Sequence, residues 1–162
     1  MNSLLDGKVC VNAVLSTLCD IYREQNHFPE THATGMQLVE KIRDIQGNDS
    51  QQMSTVLHTI GNIYISESKY KQAIKKFKEC VRISSCTKGS QHVVVMAARS
   101  NIATCQGALG QWQEAFENID GVVKIMQETL DEADPMLLSV LCQWCNIKQS
   151  YCNVDEAILL SH

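Results

Sequence analysis

The sequence predicts an all-α protein built as a solenoid of stacked antiparallel helix pairs, with about 3.5–4 repeats. A pattern of small and apolar residues recurs every 42 residues without a gap. Within each unit the apolar residues follow helical spacing. The 162-residue chain also has only 2 prolines and 8 glycines, so few residues interrupt long helices.

The repeat is clearest at small residues. Ala73 recurs as Ala115 and Ala157, and Thr31 holds the preceding position. Agreement in several separate columns is not expected by chance, so the period describes the architecture. The other aligned columns are Phe28/Tyr70/Trp112/Val154, Leu18/Ile60/Ile102/Trp144, Cys19/Gly61/Ala103/Cys145 and Ile21/Ile63/Cys105/Ile147.

Each unit contains two amphipathic stretches separated by a short polar break. In the second unit, one apolar stripe runs over 53–64 and another over 70–83, with polar residues at 67–69 between them. Polar segments rich in Gly, Asp or Pro close the units. The pattern predicts one domain, 1–162, with repeats at about 8–46, 51–85, 91–129 and 136–162, the last incomplete. The predicted helices are 8–24, 30–46, 51–66, 70–85, 91–108, 112–129, 136–150 and 154–162.

The small residues predict where two helices of a pair approach closely. Gly61 on the first helix and Ala73 on the second are the predicted contact point, and Tyr70 and Phe77 are predicted to fill the wedge to the next pair. A single pair cannot bury both of its apolar stripes, so neighbouring pairs must stack. By its column, Cys145 is predicted to be another small packing residue.

These residues resemble the tetratricopeptide repeat family. Ile60, Gly61 and Tyr64, followed by Ala73 and Phe77, match that family's spacing. Ala103, Ala115 and Ala157 keep small positions of the pattern in later repeats. The 42-residue period resembles the variant found in kinesin light chains and related adaptor scaffolds. The resemblance implies a right-handed superhelix whose first helices line a concave groove.

The resemblance also implies which residues contact a ligand. The groove columns in this chain hold mainly small and neutral-polar residues, with Ser100 and Gln143 among them. Amide side chains can donate to and accept from a peptide backbone, which favours an extended or helical peptide segment as the ligand. The candidate partner-binding residues are Asp20, Arg23, His58, Asn62, Asn101, Thr104 and Asn146.

Charge and hydropathy argue against several other kinds of partner. The formal net charge is −4, which disfavours a nucleic-acid binder, and the lysines between 69 and 78 are interpreted as a solvated helix face. No apolar run is long enough to span a membrane. The first residues lack the apolar core of a signal peptide, which predicts a cytoplasmic protein, with the nucleus as the alternative, and reduced cysteines.

One cysteine cluster offers an alternative chemistry. Cys142 and Cys145 form a C-x-x-C pair, and Cys152 and His162 follow it, a set that could ligate zinc. Packing explains the cysteines better, because Cys145 and Cys105 fall in columns of small or apolar residues. No phosphate loop or catalytic triad order is present. We therefore predict a protein that is not an enzyme and has no cofactor or metal.

The function predicted from these observations is a protein-interaction scaffold that binds a peptide segment of a partner along its groove. The alternative is a structural segment of a larger repeat protein or complex. In that case the chain associates, with itself or with another subunit, through an open C-terminal end. That alternative arises because the second helix of the last repeat is only about half the usual length, which leaves apolar residues without a following pair.

Overall fold

The computed structural model describes the backbone of residues 51–160 and the side chains of 53–153. It also describes four isolated helical positions, Ala33, Gln37, Glu40 and Asp44. Over 51–160 every regular element is a helix, which confirms the all-α prediction. The helices are α1 (Gln51–Ser66), α2 (Tyr70–Lys88), α3 (Val93–Ala108), α4 (Trp112–Thr129) and α5 (Pro135–Leu160).

The predicted boundaries of the first four of these helices agree with the structure to within three residues. The predicted helices at 8–24 and 30–46 lie outside the described residues, apart from the four isolated positions. The chain divides into two compact units, Met1–Ile83 and Ser84–His162. The single-domain assignment therefore stays a prediction. None of the described helices is both long enough and apolar enough to cross a membrane.

In the first unit, α1 and α2 form an antiparallel pair around buried aliphatic side chains. Gly61 is buried in this pair, and a Cβ added there would lie 2.6 Å from the ring of Phe77. Phe77 therefore packs on Gly61 within its own pair, a contact that the sequence did not predict. The predicted contact of Gly61 with Ala73, and that of Phe77 with the next pair, stay predictions. The buried core residues are Met53, Val56, Leu57, Ile60, Ile63, Ala73, Phe77, Cys80 and Ile83.

The helix ends show the same repeat in the backbone. Ser68 (φ 57°) and Gly110 (φ 77°) lie 42 residues apart, and both adopt the left-handed conformation just after a helix. The amide of Lys69 donates to the carbonyl of Tyr64, and the amide of Gln111 donates to that of Gln106 in the same way. Two hydrogen bonds that span three residues, from the amide of Ser68 to the carbonyl of Ile65 and from that of Gly110 to Gly107, complete the pattern. Both turns are therefore Schellman caps of one type.

The second unit packs α3 and α5 against α4. Ala103 and Ala115, at positions equivalent to Gly61 and Ala73, are completely buried. Ile119, equivalent to Phe77, is buried as well. The repeat columns therefore predict burial correctly in the second described repeat. The buried residues of this unit include Val95, Met96, Ala98, Ile102, Ala103, Cys105, Ala115, Ile119, Val122, Val123, Met126, Leu137, Val140 and Ile147.

Aromatic and charged side chains join α4 to α5. The indole Nε1 of Trp144 donates to Asp120 Oδ1 at 3.3 Å, and Lys124 Nζ lies 2.7 Å from Asp120 Oδ2. The hydrogen bond from Lys124 is the main reason that the pKa of Asp120 is lowered. Phe116 lies between Trp144 and Tyr151, with ring centroids 6.2 and 6.1 Å away. These contacts hold the last described helix on its neighbour.

The predicted turn of the fourth repeat is absent, because α5 runs without interruption from Pro135 to Leu160. Cys152 is the residue equivalent to Ser68 and Gly110, but it stays helical, so no Schellman cap ends the helix there. A continuous helix cannot fold back on itself, so Cys145 is exposed and the prediction that it packs like Gly61 is wrong. Ala157 lies in α5, and its side chain is outside the described residues.

Candidate functional site

In the first unit, two of the predicted groove residues lie one turn apart on α1. The Asn62 amide Nδ2 lies 3.4 Å from His58 Nδ1. The His58 ring meets the edge of Phe77, with centroids 5.4 Å apart and an interplanar angle of 70°. Burial lowers the pKa of His58, because it disfavours the charged imidazolium. His58 is thus a neutral, partly buried side chain in this unit.

The lowered pKa of His58 predicts a pH-dependent stability. The unfolded imidazole titrates near 6.5 and the folded one below that value, so the unfolded state binds more protons in between. The contribution of His58 to the free energy of unfolding should therefore be complete above about pH 7. It should decrease as the pH drops below 6.5, by at most about 1.4 kcal/mol per pH unit. Urea titrations between pH 7.5 and 5 measure this slope. His58→Leu should remove part of it, and an unchanged slope in that variant would contradict the assignment.

In the second unit, the side-chain amide of Gln143 is held between α3 and α5. Its Oε1 accepts a hydrogen bond from the Ser100 hydroxyl, and the Thr104 hydroxyl lies 3.4 Å from the same oxygen. Thr104 also lies 3.2 Å from the carbonyl of Ser100, to which it can donate instead. Ser100 is buried, and Thr104 and Gln143 are half-buried. Because hydroxyls occupy Oε1, the two N–H groups of Nε2 remain as donors.

A cavity of about 170 Å³ opens beside this amide. Its lining combines amides and hydroxyls with a small apolar floor, and it contains no charged side chain. Gly107 belongs to that floor, where an added Cβ would lie 3.2 Å from the Trp112 ring, so a larger residue would crowd the indole. The lining residues are Thr104, Gly107, Ala108, Trp112, Gln143, Asn146, Ile147 and Ser150.

The structure brings together two of the predicted site residues, Thr104 and Asn146, in this one cavity. Asn101 is half-buried on α3 but does not line it. Asp20 and Arg23 lie outside the described residues. Gln143 belongs to a predicted groove column but is not among the predicted site residues. Its hydrogen bond with Ser100, which fixes it beside the cavity, is visible only in the structure. Trp112 and Ser150 belong to no predicted groove column. Trp112 lies on the second helix of its pair, and Ser150 lies beyond the last groove column.

A larger cavity, of about 520 Å³, lies at the start of α4. Two carboxylates line it, and each accepts a hydrogen bond from a nearby amide: Glu114 from Gln106 at 3.1 Å and Glu117 from Gln113 at 3.2 Å. Glu114 lies in the first turn of α4, where its negative charge compensates the helix dipole. Glu117 lies beyond that turn, and its recorded contact is the hydrogen bond from Gln113.

The cysteines do not assemble into a metal site in the described part of the chain. No group of three or more His, Cys, Asp and Glu side chains there is placed to hold a metal ion. Cys80 and Cys105 are buried, and burial raises the pKa of Cys105 to about 11, which keeps its thiol protonated. Cys142, Cys145 and Cys152 are exposed on one continuous helix. His162 lies outside the described residues.

The chain is similar in sequence and fold to proteins of the kinesin light chain type. No protein-family model matches the chain. The chain is 22% identical over 131 residues to kinesin light chain-related 3 of Arabidopsis thaliana, a match that covers 80% of this chain and 20% of that protein. It superposes on a Podosopora anserina kinesin light chain with nearly identical TPR-like repeats, at 22% identity and a TM-score of 0.69. That match covers 90% of this chain and 71% of the other.

A second solved structure, BtubC (BKLC) of P. vanneervenii, is 15% identical and has a TM-score of 0.76. The match covers 91% of this chain and 59% of that one. The chain has the fold of kinesin light chain-like tetratricopeptide repeats. The family resemblance predicted from Gly61, Ala73 and Phe77 is therefore confirmed at the level of the fold. The chain spans about a fifth of the length of kinesin light chain-related 3 of Arabidopsis thaliana.

Proposed function

We propose that this chain is a non-catalytic protein-interaction scaffold that binds a peptide segment of a partner protein. The tetratricopeptide-like fold supports a scaffold, because stacked helix pairs present extended surfaces for binding. The observation that carries the peptide proposal is the fixed amide of Gln143 at the cavity between α3 and α5. The proposed location is the cytoplasm, with the nucleus as the alternative.

The geometry around Gln143 favours a peptide carbonyl as the ligand group. The Ser100 and Thr104 hydroxyls occupy Oε1, so the side chain offers Nε2 as a donor rather than an acceptor. Asn146 adds an amide that can both donate and accept. Ile147 and Trp112 supply apolar walls that could take a small side chain of the peptide. An extended segment held by main-chain hydrogen bonds meets these requirements.

The lining of the cavity favours a peptide that is uncharged at the residue entering it. Because no lysine or arginine lines this cavity, an acidic peptide gains nothing there from charge pairing. The proposed segment is therefore uncharged at the residue that enters the cavity. The same lining contains no carboxylate, histidine or cysteine that could serve as a general base or nucleophile, which supports a non-catalytic role for this site.

Selection from a random-peptide display library tests the proposal. Gln143→Glu keeps the acceptor for Ser100 and Thr104 but replaces the Nε2 donor by an oxygen. We expect selected peptides to bind this variant about tenfold more weakly, the cost of about 1.4 kcal/mol for one lost hydrogen bond and an unsatisfied carbonyl. Gln127→Glu, an exposed position on α4, adds the same charge and should leave binding unchanged. Equal binding by both variants would refute the site.

A second candidate function is association through the outer face of α5, favoured by the exposure of Leu138, which is 49% accessible. Cys142 and Cys145 lie on the same helix and are also exposed. In this alternative the chain is a structural segment that contacts a second copy or another subunit. Sedimentation equilibrium of wild type and Leu138→Glu tests contact with a second copy: a dimer that dissociates in the variant supports it, and a monomer in both removes self-association through this face.

A further inference from the structure

The surface of α2 carries a concentration of positive charge that the cavity proposal does not use. Seven of the chain's 14 lysines and arginines, but only one of its 18 acidic residues, lie between 69 and 88. This segment therefore has a formal charge of +6, whereas the remaining residues carry −10 of the total of −4. The charges of the chain are segregated rather than mixed, which is a sign of an electrostatic surface.

Three of these lysines form a single line along the helix. Lys71, Lys75 and Lys78 are spaced four and three residues apart, so their side chains are neighbours on one face. All three are exposed, whereas Ala73 and Phe77 on the other side of α2 are buried. We call these three lysines the α2 basic stripe. It spans about 10 Å, and the exposed Arg82 follows one turn later.

Like charges at this spacing oppose helix formation. Each such pair costs about 0.2–0.5 kcal/mol on a helix, and exposed faces more often alternate the two signs. The ion pairs of Lys69 with Glu67 and of Lys124 with Asp120 do not involve the stripe. Glu79, the acidic residue of α2, is half-buried. The stripe thus presents concentrated, accessible charge at a small cost in stability.

We propose that the α2 basic stripe binds an acidic segment of a partner protein. Carboxylates at helical or extended spacing can pair with lysines about 5–6 Å apart. A duplex nucleic acid or an anionic membrane also offers negative charge, but over a much larger area, and the −10 carried by the rest of the chain repels it. The exposed large apolar residues of the described side chains are Val93, Leu109 and Leu138, so α2 offers none for insertion into a lipid surface.

This inference concerns a surface separate from the Gln143 cavity and stands without the proposed function. Its test uses a fluorescent 16-residue peptide of Glu-Ala-Ala-Ala repeats, whose glutamates fall on one helix face. The triple variant Lys71→Gln, Lys75→Gln, Lys78→Gln should bind it at least tenfold more weakly at low salt, because three exposed ion pairs are lost. Binding by the wild type should also weaken as the salt concentration rises, since exposed charges are screened.

A matched control separates the stripe from net charge. Gln91→Glu, Gln127→Glu, Ser139→Glu together lower the charge by the same three units at exposed positions elsewhere. This control should retain most of the wild-type affinity, and circular dichroism should show both triple variants to be equally helical. Equal weakening in the two variants, or no binding of the acidic peptide, would overturn the proposal. So would tighter binding of phosphatidylserine vesicles or of a 20-base-pair DNA duplex than of the peptide.

Discussion

Gly61→Val should lower the free energy of unfolding by about 2–3 kcal/mol, because the new side chain overpacks a closed contact. A Cβ at this position would lie 2.6 Å from two ring carbons of Phe77, closer than side-chain atoms tolerate. The ring cannot swing away easily, since Phe77 is completely buried between α1 and α2. Urea unfolding followed by circular dichroism measures the change.

Gly121→Ala is the matched control, because it is also a helix-interior glycine. A Cβ at Gly121 meets nothing within 4 Å, and the residue is exposed on α4. Alanine should therefore stabilise the protein by about 0.5–1 kcal/mol through its higher helix propensity. Opposite signs at the two glycines would support the packing described here. A stabilising Gly61→Val would show that the α1–α2 contact is wrongly placed.

Phe77→Ala should be the most damaging single truncation, costing about 3–5 kcal/mol. The ring covers Gly61 and meets His58, so its removal leaves a cavity in the core of the first unit. Phe116→Ala provides the comparison, because Phe116 is half-buried and stacks on Tyr151. Its loss should cost less than half as much in the same unfolding measurement. Equal costs for the two substitutions would contradict the difference in burial.

The repeat could be predicted because its physical causes lie in the local sequence. Apolar spacing defines α1 to α4, and the polar break at 67–69 marks where the first pair turns. Small residues at Ala73 and Ala115 predict complete burial, which the structure confirms. The contact between Gly61 and the Phe77 ring could not be predicted, because it depends on which way the ring points, and that is decided by the packed pair as a whole.

The fourth repeat shows where a shared period stops predicting structure. Ser68 and Gly110 adopt the left-handed conformation that a Schellman cap requires, whereas Cys152, in the same column, remains helical. The 42-residue register predicts a turn there, but α5 continues through this position without the left-handed residue that a Schellman cap requires. Cys145 is exposed on this helix, which runs straight on where the predicted turn would have folded the chain back.

The candidate cavity was predicted in part for a similar reason. Column positions brought Thr104 and Asn146 to the correct face, because residues at equivalent positions of stacked pairs face the same side. The role of Gln143 is visible only in the structure, because its hydroxyl partners lie about 40 residues away in sequence, on another helix. Long-range hydrogen bonds of this kind leave no periodic signal in a single sequence.

The most direct test of the proposed function observes the Gln143 amide itself. In ¹⁵N-labelled protein, the side-chain Nε2 protons of Gln143 should shift downfield when a display-selected peptide is added, because they gain a carbonyl acceptor. Backbone signals of α3 and α5 near Thr104 and Asn146 should shift in the same titration. A peptide that binds tightly while the Gln143 amide stays unchanged, with shifts confined to other helices, would contradict the account.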